Sequence, residues 1–301
     1  MRIASVDIGT NTLLMTIADF DANGSMHVLY DAHTIVRLGE NLSHSGVISE
    51  AALQRAVECI RGYRSVCDEL GADIRVGVAT SAVRSASNGT QVLQVLRTEF
   101  KGMLQCISGS EEAELTFAGS VPDEGAYMVL DIGGGSLEIA SGVDELPEAT
   151  LSLPLGAARS TREFLGPDPY NLKSVKALQK HAAEVLKSSI PEVLRSHDAN
   201  HFVGTSKTFR TLARICAHWY GDNPKFLERK SLETAVTKLI AMDNKSRNEL
   251  PGVSANRAQQ IVAGAIVALA VMDHLDVDEV EICPWALREG IVLRRLDWLK
   301  D

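Results

Sequence analysis

A carboxylate followed by glycine and then by hydroxyl or amide side chains occurs twice in this 301-residue chain. The first run is Asp7-Ile8-Gly9-Thr10-Asn11-Thr12, and the second is Asp131-Ile132-Gly133-Gly134-Gly135-Ser136. In each, glycine lets the backbone bend so that N–H groups turn toward a ligand, and Thr, Asn or Ser adds further donors. Such a bend suits phosphate oxygens, and Asp7 at its edge suits a hard cation that accompanies them. An ordinary hairpin turn would explain either run by itself. Three successive glycines, however, are costly in chain entropy, and a tight approach to a ligand is the better reason for them. Two copies of one device imply two similar half-domains facing a common cleft.

Three further stretches carry chemistry. Arg84 closes Thr80-Ser81-Ala82-Val83-Arg84 at the end of a strand pattern over 74–79. Glu111 and Glu112 open a helix after the strand pattern 103–107. The helix dipole explains an acid in either position, while a carboxylate delivered from a strand end toward a phosphate loop is where a general base belongs. Finally, a short strand over 201–203 feeds Gly204-Thr205-Ser206-Lys207 and a helix N-terminus, a third anion-ready site that lacks P-loop glycine spacing.

The elements that must hold these residues follow from periodicity. Apolar strands flank both glycine bends, at 3–6 and 13–20 and again at 127–130 and 137–140. A third strand covers 27–36. Ser49 starts a helix whose apolar stripe runs from Leu53 to Leu70 and stops at Gly71. Helices are expected near 90–100, 174–190 and 255–275, a last strand over 279–283, and an amphipathic helix over 287–299. Hairpins mixed with strand–helix–strand crossovers imply an α/β architecture of mixed sheets covered by helices. The length favours two domains, taken as 1–124, with the closing helix 288–301 packed on it, and 125–287. The boundary stretch lies near 118–126. Small residues over 255–275 permit close packing between the domains. A homodimer interface is an alternative use of that helix and the closing one.

Composition narrows the function classes. A net charge of −9 argues against a general nucleic-acid or membrane-surface binder, and aromatics at 5% offer no base-stacking platform. An anionic substrate then needs a local cluster of Arg and Lys, or a metal ion. The five cysteines are scattered without zinc-type spacing, as for core thiols in a reducing compartment. The chain opens directly into a strand pattern, and its longest apolar run, 261–272, is short for a bilayer. A cytoplasmic protein with no membrane association is expected.

The ordered set is specific where each motif alone is weak. Asp7 to Thr12, Thr80 to Arg84, Gly109-Ser110-Glu111-Glu112-Ala113, Asp131 to Ser136 and Trp285-Ala286-Leu287-Arg288-Glu289-Gly290 together resemble the exopolyphosphatase / guanosine pentaphosphate phosphohydrolase family. The short chain, bearing Lys207 where relatives carry Gly, is similar to the actinobacterial exopolyphosphatases. The resemblance implies two ribonuclease-H-like domains of the actin, sugar-kinase and heat-shock ATPase superfamily around an interdomain cleft. It implies release of terminal orthophosphate from inorganic polyphosphate, with guanosine pentaphosphate (pppGpp) or another nucleotide as the alternative substrate. The implied cofactor is Mg²⁺, with Mn²⁺ as an alternative. By the same resemblance Glu112 is the catalytic base and Arg84 a phosphate-binding residue. Thr10, Asn11 and Thr12 form the first phosphate loop. Gly133, Gly134, Gly135 and Ser136 form the second, with Asp131, Glu138 and Asp7 toward the metal. Lys207 would grip the next phosphates of the chain. Two rivals are a kinase or ATPase of the same superfamily, against which Glu112-Ala113 speaks, and a non-catalytic sensor of polyphosphate or nucleotide.

Overall fold

A computed structural model describes residues 1–21, 26–121, 124–144, 146–196 and 198–297. The chain divides into two compact units, Met1–Leu115 with Leu287–Asp301, and Thr116–Ala286. The division falls before the expected boundary at 124/125, inside the helix Gly109–Ala118. Pro122 and Asp123 of the expected boundary stretch, and residues 298–301 of the closing helix, lie outside the described residues.

Unit 1 holds β1 (Arg2–Ile8), β2 (Thr12–Phe20), β3 (Met26–Ile35), β4 (Ile74–Ala79) and β5 (Met103–Cys106), in the order β3-β2-β1-β4-β5. The three strands of the meander pair antiparallel, and β1, β4 and β5 run parallel. β1 is buried through its centre, as expected for a strand flanked on both edges. One face of the sheet is covered by the helix Glu50–Leu70. Ser49 caps this helix by accepting from the Ala52 N–H, and Gly71 ends it at φ 64°, a conformation glycine adopts without steric cost. Its buried stripe is Ala52, Ala56, Val57, Ile60, Tyr63 and Cys67.

The closing helix Leu287–Asp297 belongs to the same unit, where Leu287, Ile291 and Val292 pack with Ile3, Phe20, Val76, Val78 and Leu115. Burial of a side chain such as Ile291 contributes about 1.5–3 kcal/mol. Gly290 is required there, since a Cβ would stand 1.8 Å from the Leu115 carbonyl oxygen. Arg288 ties the helix to the meander by donating to Thr16 Oγ1 at 2.7 Å and pairing with Asp31.

Unit 2 repeats the plan. It holds β6 (Ala126–Ile132), β7 (Leu137–Val143), β8 (Leu146–Leu153), β9 (His201–Gly204), β10 (Phe226–Glu228) and β11 (Glu279–Ile282), ordered β10-β11-β9-β6-β7-β8. Apart from the short edge strand β10, order and direction match unit 1, with β6, β9 and β11 parallel and β6, β7 and β8 antiparallel. Even the register irregularity recurs: it falls at Ile17/Ala18 in β2 and at Ser141/Gly142 in β7, positions that correspond when Asp7 is laid on Asp131.

The core of unit 2 is built around the helix Ala255–His274, whose buried residues include Ile261, Val262, Ile266, Val267 and Met272. By length and composition this one helix among the described residues could cross a membrane, which its apolar run alone did not suggest. Among its small residues, Gly264 serves packing within the unit. A Cβ on Gly264 would lie 2.6 Å from Thr208 and 3.4 Å from Ala157.

Candidate active site

In unit 1 the ends of three parallel strands form one row, because Ile8 is level with Ala79 and Ala79 with Cys106. Ligand sites of α/β sheets lie outside such carboxyl ends, and each chemistry-bearing stretch leaves this row. The bend after β1 is closed by the Gly9 N–H donating to the Thr12 carbonyl at 3.0 Å. Its other carbonyls face away: that of Asn11 accepts from the N–H groups of Val36 and Arg37, and that of Thr10 from Gly39, each at 2.9 Å. A loop meant to hold an anion needs its carbonyl oxygens occupied elsewhere in this way. Thr10 is buried, and Asp7 sits just before the bend, level with Leu14 on one side and Val78 on the other.

After β4 the short helix Ser81–Ser85 carries Arg84, and after β5 the helix Gly109–Ala118 carries Glu112. The two adjacent glutamates divide the work between them. Ser108 Oγ accepts from the Glu111 N–H at 3.1 Å, and Glu111 Oε2 accepts from the Ser108 N–H at 2.8 Å, which is a capping box. Glu111 thus serves the helix end and keeps 44% of its side chain exposed. Glu112 is 8% exposed and meets Arg84 Nη1 at 2.9 Å through Oε2. Arg84 Nη1 also donates to the Ile107 carbonyl at 3.0 Å, so its guanidinium is fixed from β5 as well as from Glu112.

In unit 2 the matching row is Leu130, Gly204 and Ile282. The Gly133 N–H donates to the Ser136 carbonyl at 3.0 Å, the same closure as in the first bend. Again the carbonyls are occupied: those of Gly133 and Gly134 accept from Ala157 N at 2.9 Å and Arg159 N at 3.0 Å. This contact requires Gly156, because a Cβ there would stand 2.3 Å from the Gly135 carbonyl carbon and from Ser136 N. At Gly133, by contrast, an added Cβ would meet only Ser136 O, at an ordinary 3.6 Å. Internal packing does not demand glycine at that position.

Asp131 and Glu138 are direct partners across β6 and β7, so their side chains share one face of the hairpin. Thr205 Oγ1 donates to Asp131 Oδ2 at 2.5 Å, and Ser152 Oγ to Glu138 Oε1 at 2.8 Å. Burial pushes the Asp131 carboxyl above the usual carboxylate range, opposed by the Thr205 hydroxyl and by the charge of Arg210. Two carboxylate groups on one face, Glu138 buried and Asp131 half-buried, are hard oxygen donors that fit a divalent cation. Among the described residues no three His, Cys, Asp or Glu form a ready-made metal cage.

Cations converge on the same end of unit 2. Lys207 is the first residue of the helix Lys207–Tyr220, capped by Ser206, and Thr208 Oγ1 donates to the Ile132 carbonyl at 2.9 Å. Arg210 follows one turn later. Arg257 stands in the first turn of Ala255–His274, where burial, and then the like charge of Arg210, push its guanidinium down to about 10. Arg162, on the π-helical turn Thr161–Leu165, is likewise pushed down by burial, and its Nε is buried with no hydrogen-bond partner in the structure.

Of the residues singled out from sequence, unit 1 brings together Asp7 with Thr10, Asn11 and Thr12, and Arg84 with Glu112. Unit 2 brings together Asp131, Glu138, Gly133, Gly134, Gly135 and Ser136, with Lys207 two residues beyond the Asp131 partner Thr205. Sequence reading placed Thr205 only within the anion-ready turn before Lys207, with no role of its own, and missed Arg210 and Arg257. A signal for them exists: both helices start with Ser and carry cations but no acid in the first turn, against the preference set by the helix dipole.

Known proteins resemble this chain over nearly its whole length. The sequence profile of the Ppx/GppA phosphatase family matches residues 16–299. Exopolyphosphatase 1 of Mycobacterium tuberculosis is 39% identical over 99% of this chain and 89% of its own length. Exopolyphosphatase 2 of the same organism is 30% identical over 97% and 98%. Among solved structures, an exopolyphosphatase from Cytophaga hutchinsonii superposes with a TM-score of 0.88 at 26% identity, covering 99% and 98% of the two chains. The Aquifex aeolicus Ppx/GppA family member gives 0.81 at 25% identity, over 100% and 99%.

Proposed function

Because the chain belongs to the Ppx/GppA phosphatase family, we propose that it is an exopolyphosphatase that hydrolyses the terminal phosphoanhydride of inorganic polyphosphate. The observation that carries this reading is the separation of roles at Glu111 and Glu112. One glutamate caps its helix; its neighbour is buried on a phosphate-binding type of arginine, which has no purpose in capping.

In the reaction, Glu112 takes a proton from water as the water oxygen bonds to the terminal phosphorus. The bridging P–O bond breaks, its electron pair leaves on the shortened chain, and orthophosphate is released. A base of this kind contributes about 10²–10⁴-fold. The ion pair with Arg84 keeps Glu112 in place. Arg84 uses only Nη1 there, so its fork retains donors for phosphate oxygens. The bend Gly9 to Thr12 in unit 1 and the bend Gly133 to Ser136 in unit 2 each offer N–H and hydroxyl donors to phosphate oxygens, and Lys207, Arg210 and Arg257 offer positive charge to phosphates bound at unit 2. Asp131 and Glu138 of unit 2 are the pair that would hold Mg²⁺ or Mn²⁺, with Asp7 the corresponding carboxylate of unit 1, and such a cation supplies charge neutralisation at phosphate when bound. Such a reaction is governed by positioning and electrostatics rather than covalent chemistry, which suits a site made of loops and cations.

The free thiols, with Cys67 and Cys216 buried, support a reducing compartment and thus the cytoplasm. Orthophosphate release from polyphosphates of defined length, run beside pppGpp, tests the substrate. Release from polyphosphate is expected to dominate. Faster release from the nucleotide would make the chain a pentaphosphate phosphohydrolase, and binding without release would make it a sensor.

A further inference from the structure

A fully buried arginine organises the chain around Arg257. Arg247 has 0% exposure and lies on the short helix Asn244–Asn248. Its guanidinium pairs with Asp168 and stacks over the Tyr170 ring at 4.8 Å. Nε and Nη2 donate to the Met242 carbonyl at 3.2 and 2.9 Å, and Nη1 donates to the Ala258 carbonyl at 2.6 Å. Asp168 in turn accepts from the Asn244 N–H at 2.8 Å. The next carbonyl of the long helix, that of Gln259, accepts from Tyr170 Oη at 2.5 Å and from Thr161 Oγ1 at 3.4 Å.

Two consecutive helical carbonyls therefore take an extra bond from side chains outside the helix, immediately after Arg257. Ser254 stands at the N-cap without a side-chain capping bond, so these bonds to the carbonyls are side-chain anchors that hold the helix start from outside. A buried ion pair contributes little net stability against apolar packing, so stability alone is a weak reason for it. We propose that Arg247, Asp168 and Tyr170 form a positioning device that fixes the first turn of the helix Ala255–His274 and thereby holds Arg257 on the phosphates of the substrate chain. The proposal rests on the reading of Arg257 as a phosphate contact.

The test is a double-mutant cycle on the full chain, read as Kd for long-chain polyphosphate together with KM, kcat and the thermal midpoint. Tyr170→Phe keeps the ring beneath Arg247 and removes only the hydroxyl that reaches Gln259. Arg257→Ala is expected to weaken polyphosphate binding on its own. Tyr170→Phe should raise Kd and KM roughly three- to tenfold, the ratio for about one net hydrogen bond, with kcat nearly unchanged. In the Arg257→Ala background it should have no further effect on Kd. Asp168→Asn should raise Kd in the same background-dependent way and also lower the thermal midpoint, since it leaves Arg247 buried without its counter-charge. A lower midpoint with unchanged Kd, or an equal rise in Kd in both backgrounds, would overturn the positioning role and leave Arg257 as a contact. An unchanged Kd in Arg257→Ala itself would remove the reading of Arg257, and the proposal with it.

Discussion

The two units run the same strand order through the same hairpin, down to the bulge and the 3.0 Å bond that closes each glycine bend. They differ in what leaves the ends of their parallel strands. In unit 1 that row delivers one arginine locked on one buried glutamate. In unit 2 it delivers Thr205, Lys207 and Arg210, and the acid of the hairpin faces a second acid, Glu138, where the first hairpin has Asp7 opposite Leu14. A duplicated scaffold thus supplies two bends of the same construction, and different residues follow it in each unit. On the proposed mechanism unit 1 prepares a water and unit 2 grips charge.

That division can be broken from either side. The largest effect is expected in unit 1, where Glu112→Gln should lower kcat by about 10²–10⁴-fold. Glu111→Gln, one residue away, should leave kcat within about twofold and cost about 1 kcal/mol or less of stability through a weakened cap. Equal losses of kcat in both variants would erase the distinction between the capping and the reacting glutamate.

Next in size is Asp131→Asn in unit 2. The wild-type thermal midpoint should rise on adding MgCl₂, because a ligand that binds only the folded state stabilises it. The variant should lose that rise, and a full rise in the variant would place the cation elsewhere. The smallest effect sharpens the account of grip. Lys207→Gly should weaken polyphosphate binding, more at low salt than at high, since screening shrinks a charge contact. Equal affinity at both salt levels would remove Lys207 from the substrate.

Much of this was legible in the sequence because the signals are local. Asp-Ile-Gly bends between alternating strands fix two hairpins, and Ser49 and Gly71 mark the ends of a helix to the residue. The strand-end origin of Arg84 and Glu112 follows from where apolar runs stop. What sequence periodicity could not show is which of two adjacent acids turns inward. Glu111 and Glu112 carry the same dipole signal, and the Ser108 bond of Glu111 and the burial of Glu112 on Arg84 separate them. Nor could it bring Arg257 beside Arg210, because their proximity depends on how one long helix packs on another. The three-residue β10 carries too few positions to establish a period.

The measurement that bears most directly on the division of labour sets Glu112→Gln beside Arg257→Ala, with kcat for orthophosphate release and Kd for polyphosphate obtained for each. The account predicts opposite signatures: Glu112→Gln loses turnover while holding substrate as the wild type does, and Arg257→Ala holds it more weakly while turning it over. A Glu112→Gln enzyme that keeps more than about a tenth of the wild-type rate, below the range a general base supplies, would contradict it.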